Sequence, residues 1–221
     1  MSITPESVRE LLGSEDLGER LKSVNLFRQL DPVVAFELAQ IAAADQNARV
    51  RYAAVSQLAS LGNQNLQLAY DLLTDRLLND PEPDVQAAAA DSLGGLHLED
   101  AFDHLAEVYQ TSGEWLVRFS IVAALGELGS VRAFDLLKDA LNSQEDLLKM
   151  AAISSLGELG DSRAIPLLVE FVNHPDWQIR HRLAQALCRL GGNEAREVLK
   201  TLAKDNVEQV ATEANIGLSA S

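Results

Sequence analysis

The chain has 221 residues, 47% hydrophobic and 23% charged, an ordinary soluble composition long enough to bury a large core. Its net charge of −15 and pI near 4.6 disfavour phosphate backbones and anionic membrane surfaces, and would steer a basic patch of a partner toward it. A single cysteine, Cys188, excludes an internal disulfide; no apolar stretch approaches the roughly 18–20 residues that span a bilayer, and MSITPESVRELLGSED lacks the apolar core of a signal peptide. The expectation is a cytoplasmic protein with no nucleic acid partner and no membrane insertion.

In chain order, a short leading helix is predicted near 4–12. NLFRQLDPVVAFELAQIA, 25–42, follows, with Asp31 as N-cap and Pro32 at the first helical position. From there one phrase returns. Leu58 in YAAVSQLASLG, Leu93 in AADSLGG, Leu125 in VAALGELG, Leu156 in SSLGELG, Leu187 in QALCRLGG and Leu218 in NIGLSA are separated by 35, 32, 31, 31 and 31 residues. ALGELGSVRAFDLLKDAL (124–141) and SLGELGDSRAIPLLVEFV (155–172) nearly coincide. A period of this length marks a solenoid, because each helix pair is too small to bury its own apolar face and needs a similar neighbour to stack on.

Each unit resolves into two helices. In LVRFSIVAALGEL the apolar residues Val117, Ile121, Val122, Leu125 and Leu128 recur at helical spacing. Gly62, Gly129, Gly160 and Gly191 suit left-handed C-caps. The second helix, as in RAIPLLVEFV, buries Ile165, Leu168 and Val172, and NDPEPD, TSGE, NSQED and NHPDW supply turns. Small residues one or four before the key leucine (Ala54, Ala124, Ala152, Ala186) permit close helix approach. A closing helix is predicted near 206–219. The fold expected is an all-α, right-handed α-solenoid of about six helix pairs plus terminal helices, forming a single domain over 1–221.

The pattern V-R-x-x-A-A-x-x-L-G-x-L-G-D-x-R-A-x-x-x-L, carried by VRYAAVSQLASLG, VRFSIVAALGELGSVRAFDLL, LKMAAISSLGELGDSRAIPLL and IRHRLAQALCRLGGNEAREVL, resembles a HEAT repeat, and more narrowly the HEAT-like repeat of the phycobilisome lyase family. The N-terminal run, ITPESVRELLGSEDLGERLKSVNLFRQLDPVVAFELAQIAAADQNARVRYAAVSQLASLG, is similar to the start of cyanobacterial phycobilisome degradation factors. The resemblance implies a protein that binds phycobiliproteins (phycocyanin, allophycocyanin) while light-harvesting antennae are dismantled under nutrient stress. It requires no cofactor, with a linear tetrapyrrole such as phycocyanobilin as the ligand the family handles. It transfers no catalytic residue.

Catalytic constellations are absent from the residues themselves. There is no P-loop, and the LGELG phrases end helices rather than follow strands. His97, His104, His174 and His181 are scattered and make no metal-ligand pair, so no metal is expected. Cys188 takes the slot where Gly94, Gly126 and Gly157 stand in sister repeats, which reads as a small residue at a helix crossing; a bilin-accepting thiol is the alternative. Arg51, Arg118, Lys149 and Arg180 each fall seven before the key leucine. They read as bases pairing with an inter-repeat Asp or carbonyl rather than as a ladder for an anionic ligand.

Repeat phase singles out a surface. In such a stack the key-leucine helix lines the concave face, exposing positions two, five, six, nine and ten before the leucine and two after it. The second and third repeats place Ala53, Ser56, Ser60, Ala87, Ala88, Asp91 and Gly95 there, with Tyr52 the exception. Later repeats place Trp115, Leu116, Phe119, Leu147, Met150, Trp177, His181, Arg182, Gln185 and Arg189 there. Aromatics with arginine are the makings of a hot spot. The candidate groove is therefore Trp115, Phe119, Met150, Trp177, His181, Arg182, Gln185 and Arg189. A packing role for the tryptophans over the inter-repeat turns stays open. Three functions remain: a phycobiliprotein-binding factor, a bilin-handling protein of lyase type, and a generic scaffold.

Overall fold

The computed structural model describes residues 3–219. Among them the helices are α1 (Pro5–Leu12), α2 (Leu17–Leu26), α3 (Pro32–Ala42), α4 (Ala48–Leu61), α5 (Leu66–Asn79), α6 (Pro83–Gly95), α7 (Phe102–Thr111), α8 (Trp115–Leu128), α9 (Phe134–Leu141), α10 (Asp146–Leu159), α11 (Ile165–Leu168), α12 (Trp177–Leu190), α13 (Gly192–Leu202) and α14 (Glu208–Ser219), and no strand occurs. The protein is an all-α repeat fold. The chain divides into two compact units that meet in sequence within α8, one ending at Ile121 and the other beginning at Val122.

One local device starts the key-leucine helices in both units. A side chain in the turn accepts a hydrogen bond from the backbone N–H two residues on: Ser14 from Asp16, Asp45 from Asn47, Asp80 from Glu82, Ser112 from Glu114, Ser143 from Glu145, His174 (through Nδ1) from Asp176 and Asp205 from Val207, at 2.7–3.2 Å. Short polar side chains close such turns by mimicking a backbone acceptor. Asp31 caps α3 from its side chain, with Pro32 at the helix start, as its sequence implies.

In the first unit α4 packs along α6 and against α2 and α3, while α5 packs on α6. Leu58 and Leu93 are fully buried. Burial of such a side chain contributes about 1.5–3 kcal/mol. Three polar groups that enter this core find backbone partners on the neighbouring helix: Ser23 Oγ donates to Val8 O at 2.8 Å, Gln57 Nε2 to Val24 O at 2.9 Å, and Ser92 Oγ to Val55 O at 2.9 Å.

In the second unit α10, α12 and α14 lie side by side, with α9, α11 and α13 packed on them. Their approach is set by residue size. A Cβ added at Gly126 would lie 2.7 Å from Ser155 Cα, and one at Gly157 would lie 2.6 Å from Ala186 Cα. At the α12–α14 crossing the order is reversed: Cys188 occupies the first slot, and the small partner is Gly217, where a Cβ would lie 2.1 Å from Cys188 Sγ. Cys188 is thus a packing residue at a crossing.

Two expectations need correction. Gly129 and Gly160 do end their helices with φ +70, but Gly62 is right-handed, φ −59, because the chain tightens there into a 3-10 turn, Gly62–Gln64. Glycine is required at 62 for space, since a Cβ would meet Leu96 Cδ1 at 2.6 Å. The left-handed slot of the α6 repeat is filled instead by His97, φ +51. The stretch expected as one helix in RAIPLLVEFV is a 3-10 turn, one turn of α-helix and another 3-10 turn, and Val172 is only half-buried.

Candidate functional site

The arginine register is structural. Arg51 grips Asp80 through Nε and Nη2, both at 2.7 Å, and gives Nη1 to the Asp45 and Gln46 carbonyls at 3.0 and 3.3 Å. Arg180 repeats this on Asp205 at 2.6 and 2.9 Å and on the His174 and Pro175 carbonyls at 2.7 and 3.2 Å. Sequence reading missed a third copy. Arg20 binds Asp45 at 2.8 and 3.3 Å and the Ser14 and Glu15 carbonyls at 3.1 and 3.0 Å. The signal was available, for each arginine stands six after its turn residue. Where the spacing keeps Arg or Lys without this grip, the contacts are local. Arg118 lies over the Tyr109 ring at 4.8 Å and donates to its hydroxyl at 3.3 Å, and Lys149 pairs with Asp146 at 3.1 Å.

In the first unit, Tyr52 is exposed and lines an open hollow of about 280 Å³ with Ala48, Arg49 and Asp84. Trp115 is 52% exposed and Phe119 half-buried at the start of α8. Ala87 and Ala88, expected on the exposed face, are buried at 4%, whereas Ala53, at the same slot as Ala88, is half-buried.

The remaining candidates belong to the second unit. Met150 on α10 is half-buried. On α12 an N-cap, Asp176, takes the Gln178 N–H at 2.8 Å, and helical spacing then aligns Trp177, His181, Arg182, Gln185 and Arg189. Trp177 is 40% exposed, and its ring meets that of His181 edge-on at 6.4 Å. Trp177 also lines an open hollow of about 640 Å³ with His174, Pro175, Arg180, Lys204 and Asp205, so it stands over the inter-repeat turn without becoming core. His181 Nε2 lies 3.9 Å from Glu213 Oε2 of α14. Arg182 is exposed and reaches Gln185 Oε1 at 3.5 Å. Arg189 donates to Glu158 of α10 at 2.8 Å. Glu158 is therefore a partner of the row. The spacing of 31 between Glu158 and Arg189, both two after a key leucine, was the clue.

Cys188 is half-buried and donates to the Glu213 carbonyl at 3.7 Å. Burial, followed by the nearby Glu213 carboxylate, pushes its thiol up, the opposite of what activates a nucleophile. Among the described residues no group of three His, Cys, Asp or Glu side chains could hold a metal ion, and no helix is long and apolar enough to cross a membrane.

Repeated helix pairs and exposed helix faces together define an α-helical repeat protein. The chain belongs to the HEAT-repeat family: HEAT repeats match residues 70–157 and 140–219. Among solved structures it is similar to a chain of the complex of CpcE and CpcF of phycocyanin lyase from Nostoc sp. PCC7120, with 21% identity over 100% of this chain and 95% of that one and a TM-score of 0.66. It is likewise similar to YibA from E. coli (18%, 98% and 81%, 0.67) and to the archaeal HEAT-like repeats protein from Thermococcus onnurineus NA1 (15%, 99% and 97%, 0.59). At these identities the likeness is one of fold. No curated protein matches.

Proposed function

We propose that this HEAT-repeat protein is a phycobiliprotein-binding factor that promotes phycobilisome disassembly under nutrient stress, of the type of the degradation protein NblB. The observation that carries a docking role is the row on α12, where Trp177, His181, Arg182, Gln185 and Arg189 stand on one face. The corresponding residues of α4 are Ala48, Tyr52, Ala53, Ser56 and Ser60. Exposed tryptophan with arginine is the usual centre of a protein interface. The choice of phycobiliprotein as partner rests on the resemblance of residues 3–62 to phycobilisome degradation factors, and the fold shared with a phycocyanin lyase complex is in keeping with it.

A role in handling bilin is the second reading, favoured by an exposed aromatic face at Trp177 beside Arg182. The residues do not fit a covalent relay, because the Cys188 thiol is held protonated. Mixing the purified protein with phycocyanin separates the readings. Complex formation with all covalent chromophore retained supports the binding factor. Protein-dependent loss of visible absorbance with free pigment recovered supports bilin handling, and no complex at all removes both.

A further inference from the structure

The charge of α12 is at odds with the chain that carries it. The whole protein has a net charge of −15, yet α12, WQIRHRLAQALCRL, holds Arg180, His181, Arg182 and Arg189 and no acidic residue. Arg180 is committed to Asp205 and the turn carbonyls. The other three point to the exposed row, and the flanking helices treat them differently. Arg189 is held by Glu158 of α10 at 2.8 Å, in a pair whose side chains are 53% and 35% exposed. His181 faces Glu213 of α14 at 3.9 Å. Arg182 has only the amide oxygen of Gln185, at 3.5 Å, and no carboxylate partner among the described residues.

We propose that α12 recognises an acidic, carboxylate-bearing segment of its protein partner, with Arg182 as the primary contact and Glu158 and Glu213 as intramolecular competitors that the partner's carboxylates displace from Arg189 and His181. This rests on the reading of α12 as the docking face and names the chemistry of what docks. A guanidinium offers a planar fork that matches a carboxylate, and Gln185 beside it supplies an amide N–H for the same group. The Arg189–Glu158 pair is partly open to water, where an ion pair is worth little, so exchange of one carboxylate for another is inexpensive. Bulk charge repels acidic segments at long range, but that repulsion fades beyond the roughly 10 Å Debye length at 0.1 M salt, leaving the charges of α12 and of the adjacent Glu158 and Glu213 to decide.

The test is fluorescence anisotropy with a fluorescein-labelled hexaglutamate peptide against the full chain, with thermal midpoints recorded for every variant. The wild type binds, Arg182→Glu weakens binding by about tenfold or more, and Glu158→Gln and Glu213→Gln each tighten it by about threefold, the direction expected when a competing charge is removed. Arg182→Gln, expected to weaken binding less, replaces Arg182→Glu should the latter lower the midpoint. Hexaglutamate that fails to bind the wild type, equal binding by Arg182→Glu, or weaker binding by a Glu158→Gln protein of unchanged midpoint each overturns the proposal. Phycocyanin is titrated in parallel. Phycocyanin binding without hexaglutamate binding leaves the docking reading standing and removes acidic recognition, whereas hexaglutamate binding without phycocyanin binding does the reverse.

Discussion

Arg51 and Asp80 are joined by two hydrogen bonds of 2.7 Å, between a guanidinium and a carboxylate that is wholly enclosed. This ties the body of α4 to the turn that launches α6, and the same tie recurs between Arg20 and Asp45 and between Arg180 and Asp205. Removing one member leaves a buried charge without its partner. Asp80→Ala is expected to cost about 3–5 kcal/mol, measured by denaturant unfolding. Lys200→Ala, which breaks the exposed pair with Glu197, is expected to change stability by less than about 1 kcal/mol. Equal effects would deny the tie its role.

The same pairs set an acid limit. Burial pushes the Asp80 carboxyl up, but the Arg51 hydrogen bonds and the Glu82 N–H outweigh it and hold the group below the usual range. Hydrogen bonds from Arg180 hold Asp205 low, against the effect of burial. A carboxyl lowered in the folded state stabilises fully above its unfolded value, about 3.9, and that contribution is lost as pH falls through the folded values. The thermal midpoint should therefore hold steady from neutral pH to about 5 and fall below about 4. Asp205→Asn should flatten the fall, and a midpoint that rises below pH 4 would contradict the assignment.

Helix approach in the second unit depends on paired small residues. Gly157→Ala puts a Cβ 2.6 Å from Ala186 Cα, which the backbone must yield to accommodate, so a loss of about 1–3 kcal/mol is expected. Cys188→Ser keeps the size at the crossing and should leave both fold and phycocyanin binding intact. Lost binding in a folded Cys188→Ser protein would mean that the thiol acts chemically.

His97 occupies a left-handed position that sister repeats give to Gly129 and Gly160. A side chain there costs about 1–2 kcal/mol relative to glycine. His97→Gly is expected to raise stability by about 1 kcal/mol. A fall would show that contacts of the imidazole outweigh the strain.

The period of 31 made the helix pairs, the turn residues and the buried leucines legible, because burial at the crossings imposes the spacing; Leu58, Leu93, Leu125, Leu156 and Leu187 are all fully enclosed. Backbone detail was less legible. Gly62 follows a leucine as Gly129 does, but Leu96, at the end of α6, fixes its role from elsewhere in the chain. Ala87 and Ala88 follow the phase of exposed positions and are nevertheless buried, while Ala53 at the phase of Ala88 is half-buried, so phase alone does not separate them. At the candidate site, phase identified the α12 row, whereas the carboxylates opposite it, Glu158 and Glu213, are set beside Arg189 and His181 by the packing of neighbouring helices.

The docking claim meets its most direct test in the affinity of phycocyanin for the wild type, Trp177→Ala and Arg182→Ala, with Tyr52→Ala as the comparison and thermal midpoints recorded alongside. Each α12 truncation is expected to weaken binding by about 1–3 kcal/mol, a typical hot-spot loss, while the midpoint changes little, since both side chains are exposed; Tyr52→Ala should matter less. Unchanged affinity in Trp177→Ala and Arg182→Ala, or affinity lost only together with the fold, would contradict the account and move the binding surface away from α12.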